Sequence, residues 1–172
     1  MTTITMHRTV DAPTAIVWDV ITDHDLYGEI APNLSTVEIV EGAGDGMIRR
    51  CVDTNGNEWT ESCTRWEENR AYAVEVDVKH SDFHRRLFTR FNGEWRLSEH
   101  EDGVRITITF EFEPRYGPFG VLISKFFAYK GPGIIEAIFD RWETEIRSRA
   151  PESTTADRQE IHHDRDVNAL YR

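Results

Sequence analysis

Arg50, Glu61 and Tyr72 are the residues of this sequence whose types and spacing best suit acid–base chemistry. Asn55 and Gly56 separate two β-like runs, and this dipeptide strongly favours a hairpin with a two-residue turn. In that register Arg50 lies opposite Glu61 on the apolar face of the hairpin. Charges on an apolar face are costly unless they are paired or used. We therefore predict that the pair lines a cavity. An ion pair at the sheet edge, or a bulge that turns both residues outward, is the alternative.

The same hairpin register places Trp59 opposite Val52 and Cys63 opposite Ile48, all on the inward face. Cys51 then lies on the other face, so we do not expect a disulfide between the two cysteines. A nucleophilic thiol needs an activating base, and no histidine is placed in the sequence so as to show one. We therefore interpret Cys63 as a small buried apolar residue.

A second predicted hairpin precedes the last helix, because apolar and polar side chains alternate along two long runs. With its turn at residues 102–103, Trp95 lies opposite Phe110 and Gly93 lies opposite Phe112. A glycine inside a strand often marks a bend or a close approach. We expect Gly93 to let the sheet curve and to leave room beside Phe112.

The elements that must position these side chains follow the order β-αα-β-β-β-β-β-β-α. A meander of strands followed by one long helix predicts an α+β domain, with a curved seven-stranded antiparallel sheet around the helix and two short helices after the first strand. In the long helix, apolar residues such as Ile138 and Trp142 recur at helical spacing. The segment 131–133, Gly-Pro-Gly, predicts a division of this helix into 119–129 and 132–149, the first piece forming a lid.

Aromatic and apolar side chains are frequent at the inward positions of these elements. Such a set is more often core than a ligand site. Cavities for planar ligands are nevertheless built from the same kind of wall, with a few polar groups added. The residues predicted to bind a ligand are Trp59, Cys63, Val74, Trp95, Phe110, Phe112, Phe126, Phe127, Ile138 and Trp142.

Length and charge limit the organisation and the partners of the chain. Its 172 residues suit one domain, which we assign to 1–150, followed by a polar tail at 151–172. The net charge of -11 argues against nucleic acid and against anionic membranes as partners. The sequence has no long apolar run for a membrane span and no signal-peptide pattern, so we expect a cytoplasmic protein. For its oligomeric state we expect a monomer or a homodimer.

The basic residues are mostly arginine, with only three lysines in the chain. This bias fits a salt-rich cytoplasm or a GC-rich genome, and both explanations stay open. The histidines and cysteines have no metal-site spacing, and no glycine motif for phosphate binding is present. We therefore predict no metal and no cofactor.

Four parts of the sequence resemble the START-like, helix-grip (SRPBCC) superfamily, in particular its polyketide cyclase/dehydrase-like branch. They are residues 9–23, residues 56–61, the turn at 102–107 and the long final helix. The similarity covers about residues 2–149. It implies a seven-stranded sheet that grips the C-terminal helix, and a cavity for a polyketide-, lipid- or quinone-like molecule. No motif of the family transfers a catalytic role to a particular residue of this chain.

Three functions are consistent with these observations. The first, which we favour, is binding of a hydrophobic or aromatic small molecule. The second is a cyclase or dehydratase, in which Arg50 orients a carbonyl or enolate, Glu61 moves protons and Tyr72 assists. The third is a protein-interaction or chaperone-like module, which an exposed apolar patch within 119–127 would support.

Overall fold

The computed structural model describes residues 1–150 except for the side chains of residues 118 and 119, so the predicted tail at 151–172 lies outside the described residues. The strands are β1 (Thr2–Val10), β2 (Leu34–Glu41), β3 (Ile48–Asp53), β4 (Glu58–Glu67), β5 (Ala71–Val76), β6 (Phe88–His100) and β7 (Gly103–Pro114). The helices are α1 (Thr14–Ile21), α2 (His24–Ile30), α3 (His84–Leu87) and α4 (Gly117–Arg149).

The strands form one antiparallel sheet in the order β1-β7-β6-β5-β4-β3-β2. β1 pairs with β7 along its whole length, so the first strand completes the meander at the edge formed by the last strand. The predicted α+β helix-grip class, the seven strands and the two short helices after β1 are confirmed. The sequence did not predict α3, which lies in the connection before β6.

The C-terminal half of α4 is the part of the helix that the fold buries. Ile135, Ile138, Trp142 and Ile146 recur at helical spacing, and all four belong to the core. On the side of this half that faces β1, Arg8 makes ion pairs with the helix. Its guanidinium contacts Glu136 at 2.6 Å, Asp140 at 3.1 Å and Glu143 at 2.9 Å. Apolar packing and this network together fix the helix on the sheet.

The predicted division of the long helix at residues 131–133 is wrong, because α4 runs without a break through Pro132. A proline in a helix removes one backbone donor and crowds the preceding turn, at a cost of about 3 kcal/mol. Tertiary contacts lie on both sides of this position. The Gly131 backbone packs close to Ile4, and Ile134 packs against the core. We infer that packing along the helix outweighs the local cost of the proline.

The turn of the β6–β7 hairpin lies one residue earlier than predicted, at residues 101–102, which shifts the cross-strand pairing by two residues. His100 lies opposite Gly103, so Trp95 lies opposite Ile108 and Gly93 opposite Phe110. Because the shift is even, every side chain stays on its predicted face of the sheet. Within residues 1–150, no helix is both long and apolar enough to cross a bilayer.

Candidate functional site

The β3–β4 hairpin carries the charged residues of the site, and its register differs from the predicted one. Arg49, not Arg50, lies opposite Glu61. Three residues, 54–56, lie inside the last backbone-bonded pair of this hairpin, in which the N–H of Asp53 donates to the carbonyl of Asn57 at 2.9 Å. One additional loop residue is an odd shift, which moves every side chain of β3 to the opposite face.

Side-chain hydrogen bonds of Asp53 explain this longer loop. One carboxylate oxygen accepts the backbone N–H groups of Asn55 and Asn57, each at 2.8 Å, and the other accepts the Asn57 amide at 2.7 Å. Asp and Asn side chains favour such local bonds to nearby backbone. The Asn-Gly signal therefore correctly predicted a hairpin, but the Asp53 contacts fix its loop length.

The predicted Arg50–Glu61 pair is consequently wrong. Arg50 is partly exposed on the outward face, where it binds Glu58 at 2.6 Å and Glu38 at 3.1 Å. Cys51 lies on the inward face with Cys63, contrary to the prediction, and both thiols are buried and free. Cys51 pairs across the sheet with Trp59, four residues along β4 from Cys63, so the two cysteines are displaced along the hairpin.

A buried ion pair between Arg49 and Glu61 forms the polar end of the site. Arg49 is 1% exposed; its Nε donates to Glu61 Oε2 at 2.8 Å, and its Nη2 lies 2.6 Å from the same oxygen. Glu61 Oε1 accepts the indole N–H of Trp59 at 2.8 Å. Arg49 Nη1 lies 3.0 Å from His24 Nδ1. Both carboxylate oxygens are therefore engaged by neighbouring donors.

Aromatic rings also contact the buried cation. The guanidinium carbon of Arg49 lies 5.5 Å from the ring centroid of Tyr27 and 5.4 Å from that of Trp95. Desolvation strengthens such cation–π contacts. Burial opposes ionisation of Glu61, but the charge of Arg49 and the hydrogen bonds from Trp59 and Arg49 hold the pKa of this carboxyl below its usual value. Glu61 is thus an ionised acceptor rather than a proton donor.

The ion pair borders a partly open cavity of about 290 Å³ between the sheet, α3 and α4, with Asn33, Asp53, Thr54 and Asn55 also among its lining residues. Its remaining wall is mainly aromatic and aliphatic. The predicted residues that lie on this wall are Trp59, Glu61, Val74, Trp95, Phe110, Phe112, Phe126, Phe127 and Ile138. The structure therefore brings together residues from β4, β5, β6, β7 and α4, although their role in binding stays a prediction.

Three other predicted residues lie behind this wall rather than on it. The hydroxyl of Tyr72 donates to the carbonyl of Ile21 at 3.1 Å, and its ring stacks on Trp95 at 4.7 Å. Trp142 is buried in the core and stacks on Tyr27. The thiol of Cys63 donates to the carbonyl of Arg65 at 3.1 Å. Tyr72 and Trp142 thus support rings of the wall, whereas Cys63 is a core residue.

Gly93 allows Trp95 to lie along the wall. A Cβ atom at position 93 would meet the Trp95 ring at 2.8 Å and Phe110 at 3.1 Å. The space that the missing side chain of Gly93 leaves is therefore taken by the Trp95 indole and the Phe110 ring, whereas the sequence predicted room beside Phe112. The indole nitrogen of Trp95 is buried and has no hydrogen-bond partner among residues 1–150. Such a group costs free energy unless a ligand or water satisfies it.

Arg49, Tyr27 and His84 are cavity residues that the sequence did not predict. His84 is buried at the start of α3, with Nδ1 2.9 Å from the Ser81 hydroxyl, and its ring lies 4.9 Å from that of Trp59. Burial lowers the pKa of His84 to about 4, so the imidazole is neutral at pH 7. The Ser81 hydroxyl also accepts the backbone N–H of His84 at 3.2 Å, a local bond that serine favours.

His24 is a second neutral buried histidine, and it lies beside Arg49. Burial and the Arg49 charge lower its pKa to about 4. Among residues 1–150, no group of three or more histidine, cysteine or acidic side chains is placed so that it could hold a metal ion.

Comparisons with known proteins agree with this architecture. The model of the family described as polyketide cyclase / dehydrase and lipid transport matches residues 1–147. No protein with a curated description matches the sequence significantly. The Zhui aromatase/cyclase from Streptomyces sp. R1128 has a similar structure, with a TM-score of 0.71 and 19% identity over 88% of this chain and 97% of that one.

Two further solved structures are similar. A protein from Thermus thermophilus superposes with a TM-score of 0.67 and 19% identity, over 87% of this chain and 99% of that one. A START superfamily protein from Mycobacterium smegmatis superposes with a TM-score of 0.65 and 13% identity, over 86% of this chain and 99% of that one. At these identities the likeness concerns the fold.

Substitution of Glu61 tests the buried ion pair. Glu61→Gln leaves the Arg49 cation buried without a counter-charge, and the free energy of unfolding should fall by about 3–5 kcal/mol. Glu58→Gln, on the same strand, weakens only the exposed pairing with Arg50 and should leave stability nearly unchanged. Urea unfolding of both variants measures the difference. Equal stability of the two would show that Glu61 is not the buried partner of Arg49.

The lowered pKa of His84 predicts a pH dependence of stability. As the pH falls from 6.5 towards about 4, His84 binds a proton in the unfolded chain but stays neutral in the folded chain. The free energy of unfolding therefore falls with pH in this window. His84→Phe keeps the aromatic packing and should reduce that slope by about 1.4 kcal/mol per pH unit. Denaturant titrations at several pH values within the window measure it. An unchanged slope would contradict the neutral buried state of His84.

Proposed function

Because the chain belongs to the polyketide cyclase / dehydrase and lipid transport family, we propose that it binds a hydrophobic, largely aromatic small molecule in the cavity between the sheet and α4. Polyketide-, lipid- and quinone-like molecules share this chemistry. The observation that carries the proposal is the composition of the cavity, a mainly apolar and aromatic wall with the buried Arg49–Glu61 pair at one end. Ligand sites commonly combine such a wall with a few fixed polar groups.

The polar end favours a ligand that carries an oxygen acceptor. Arginine has five N–H donors, and the Glu61 and His24 contacts engage its nitrogens without using every N–H. The unpartnered indole N–H of Trp95 belongs to another residue of the wall. A carbonyl, hydroxyl or phenolate oxygen of the ligand would accept from these donors. The rings of the ligand would then pack against Trp95 and Phe110.

The same contacts favour binding over acid–base catalysis by the predicted residues. The Glu61 carboxylate is committed to Arg49 and Trp59, and its pKa is lowered. The Tyr72 hydroxyl lies behind the wall on the Ile21 carbonyl. Arg50 faces outward. The polar groups therefore orient a ligand more readily than they move its protons.

A second candidate function is cyclisation or dehydration of a polyketide-like chain, which the position of His84 favours. Its imidazole is neutral and lies on the cavity wall beside Trp59. Ser81 engages Nδ1, so Nε2 is the nitrogen available to a substrate. Arg49 would take the orienting role that the sequence assigned to Arg50. The similar Streptomyces protein is an aromatase/cyclase, as its name states.

Paired substitutions test whether the ion pair selects the polar group of the ligand. Wild-type protein should bind naphthol at least about tenfold more tightly than naphthalene, because only naphthol offers an oxygen to the Arg49 end. Arg49→Met with Glu61→Leu replaces the pair by apolar side chains of similar volume, which proteins often tolerate. This double variant should bind both probes equally well in calorimetric titrations.

The matched control replaces the outward pair, Arg50→Met with Glu58→Leu, and should keep the wild-type preference. Loss of the preference in the control, or its persistence in the Arg49/Glu61 variant, would contradict the assignment. Failure of wild-type protein to bind either probe would contradict ligand binding in the cavity.

Turnover separates the two candidate functions. If the protein is a cyclase that uses His84, His84→Phe should abolish conversion of a poly-β-keto substrate while naphthol affinity stays within about tenfold. Conversion that survives the substitution would remove His84 from the mechanism. If the wild-type protein binds the substrate without converting it, ligand binding is supported and the cyclase function is contradicted.

A further inference from the structure

The N-terminal half of α4 exposes large apolar side chains that no other part of residues 1–150 covers. Leu122 is 70% exposed, Phe126 58% and Tyr129 80%. Their spacing of four and then three residues places them on one face of the helix. Val121, at 55%, lies at the border of the same face. This half of the helix therefore shows the opposite burial to its C-terminal half, where the apolar residues are in the core.

Positive charge accompanies these apolar residues. Residues 114–135 contain Arg115, Lys125 and Lys130 and no acidic residue, within a chain whose net charge is -11. At 100° per residue, Lys125 lies on one side of the exposed apolar face and Lys130 on the other. Glu113, just before the segment, borders the same shallow surface depression as Lys125. This part of the surface is therefore cationic and apolar, although the chain as a whole is acidic.

The opposite face of this half of α4 holds the helix on the sheet and closes the cavity. Ser124 accepts a hydrogen bond from the Thr2 hydroxyl at 2.8 Å. The ring of Phe127 packs on Phe88 at 5.2 Å and on Phe112 at 5.6 Å. Phe126 is exposed and also borders the cavity. The exposed face is therefore separated from the cavity by one layer of side chains.

We propose that the α4 stripe, defined as Val121, Leu122, Lys125, Phe126, Tyr129 and Lys130, docks on the surface of a bilayer that contains anionic lipids. Apolar side chains flanked by lysines suit the boundary between headgroups and acyl chains, where the lysine stems are apolar and their ammonium groups meet phosphates. Lys130 Nζ lies 5.7 Å from the Tyr129 ring centroid, which keeps one cation beside the aromatic edge of the stripe.

Charge distribution also sets the orientation of docking. A surface that is acidic overall is repelled by anionic lipids, whereas a basic segment is attracted within about one Debye length, roughly 8–10 Å. The chain would therefore approach with α4 towards the bilayer, which places the Phe126 side of the cavity wall next to the lipid. The proposal goes beyond ligand binding in the cavity, and its test needs no cavity ligand.

A second copy of the chain suits this surface less well. In a symmetric dimer the same patch meets itself, so the lysines of one stripe would approach those of the other. An acidic amphipathic protein segment is the remaining occupant with matching chemistry. The experiment separates these outcomes from docking on lipid.

Vesicle flotation tests the proposal directly. The purified chain should bind vesicles of phosphatidylcholine with phosphatidylglycerol, bind vesicles of phosphatidylcholine alone at least about tenfold more weakly, and dissociate from the anionic vesicles as salt is added. Lys125→Glu with Lys130→Glu should weaken binding at least about tenfold. Leu122→Ser with Tyr129→Ser, which spares the cavity wall, should do the same.

Two matched controls use exposed residues elsewhere. Ile39→Ser with Val40→Ser removes exposed apolar side chains from β2, and Lys79→Glu reverses the third lysine. Both variants should bind like wild type. Amide hydrogen exchange should slow in residues 120–131 when anionic vesicles are added.

Several results would overturn the proposal. They are no binding of the wild-type chain to anionic vesicles, equal binding by the stripe variants, or equal weakening by the control variants. A concentration-dependent dimer that the Leu122/Tyr129 variant abolishes, without vesicle binding by wild type, would assign the stripe to a second copy. Capture of an acidic protein through the stripe, again without vesicle binding, would assign it to a protein partner.

Discussion

The buried ion pair of Arg49 and Glu61 is the interaction on which the site depends. Removing two charges from water costs several kcal/mol per ion, and that cost is offset only where geometry and hydrogen bonds are good. Here each Glu61 oxygen has a donor, and the cation contacts His24, Tyr27 and Trp95. The pair thus fixes the indole of Trp59 and the polar end of the cavity together.

The aromatic wall depends on a second layer of residues in the same way. Tyr72 holds Trp95 by stacking, and the absence of a side chain at Gly93 lets the indole lie flat. Trp142 of α4 stacks on Tyr27, which in turn contacts the Arg49 cation. Core packing of the C-terminal helix is therefore coupled to the polar end of the cavity. A rigid, preformed site of this kind lowers the cost of ordering on binding.

The sequence predicted the class, the order of the elements along the chain and nine of the residues that line the cavity, because alternation along β4 to β7 is strong and periodic. It assigned the wrong arginine because side-chain direction in a strand reverses with each residue of register. The hydrogen bonds of Asp53 add one residue to the loop, and these local side-chain bonds leave no periodic signal.

Two other features could not be read from pattern alone. α3 occupies a charged segment without periodicity, so the burial of His84 follows from packing against Trp59 and Phe91 rather than from local sequence. Pro132 is a strong local signal for a break, but the packed helix tolerates it. Both cases show tertiary contacts prevailing over local preference.

Ligand occupancy in the native host tests the central claim most directly. Protein purified from its own host without detergent should show, by native mass spectrometry, a mass excess that disappears on denaturation. The released molecule should be aromatic and carry at least one oxygen. The mass of the bare chain alone, or a released molecule without aromatic or apolar character, would contradict a cavity built to hold such a ligand against the Arg49–Glu61 pair.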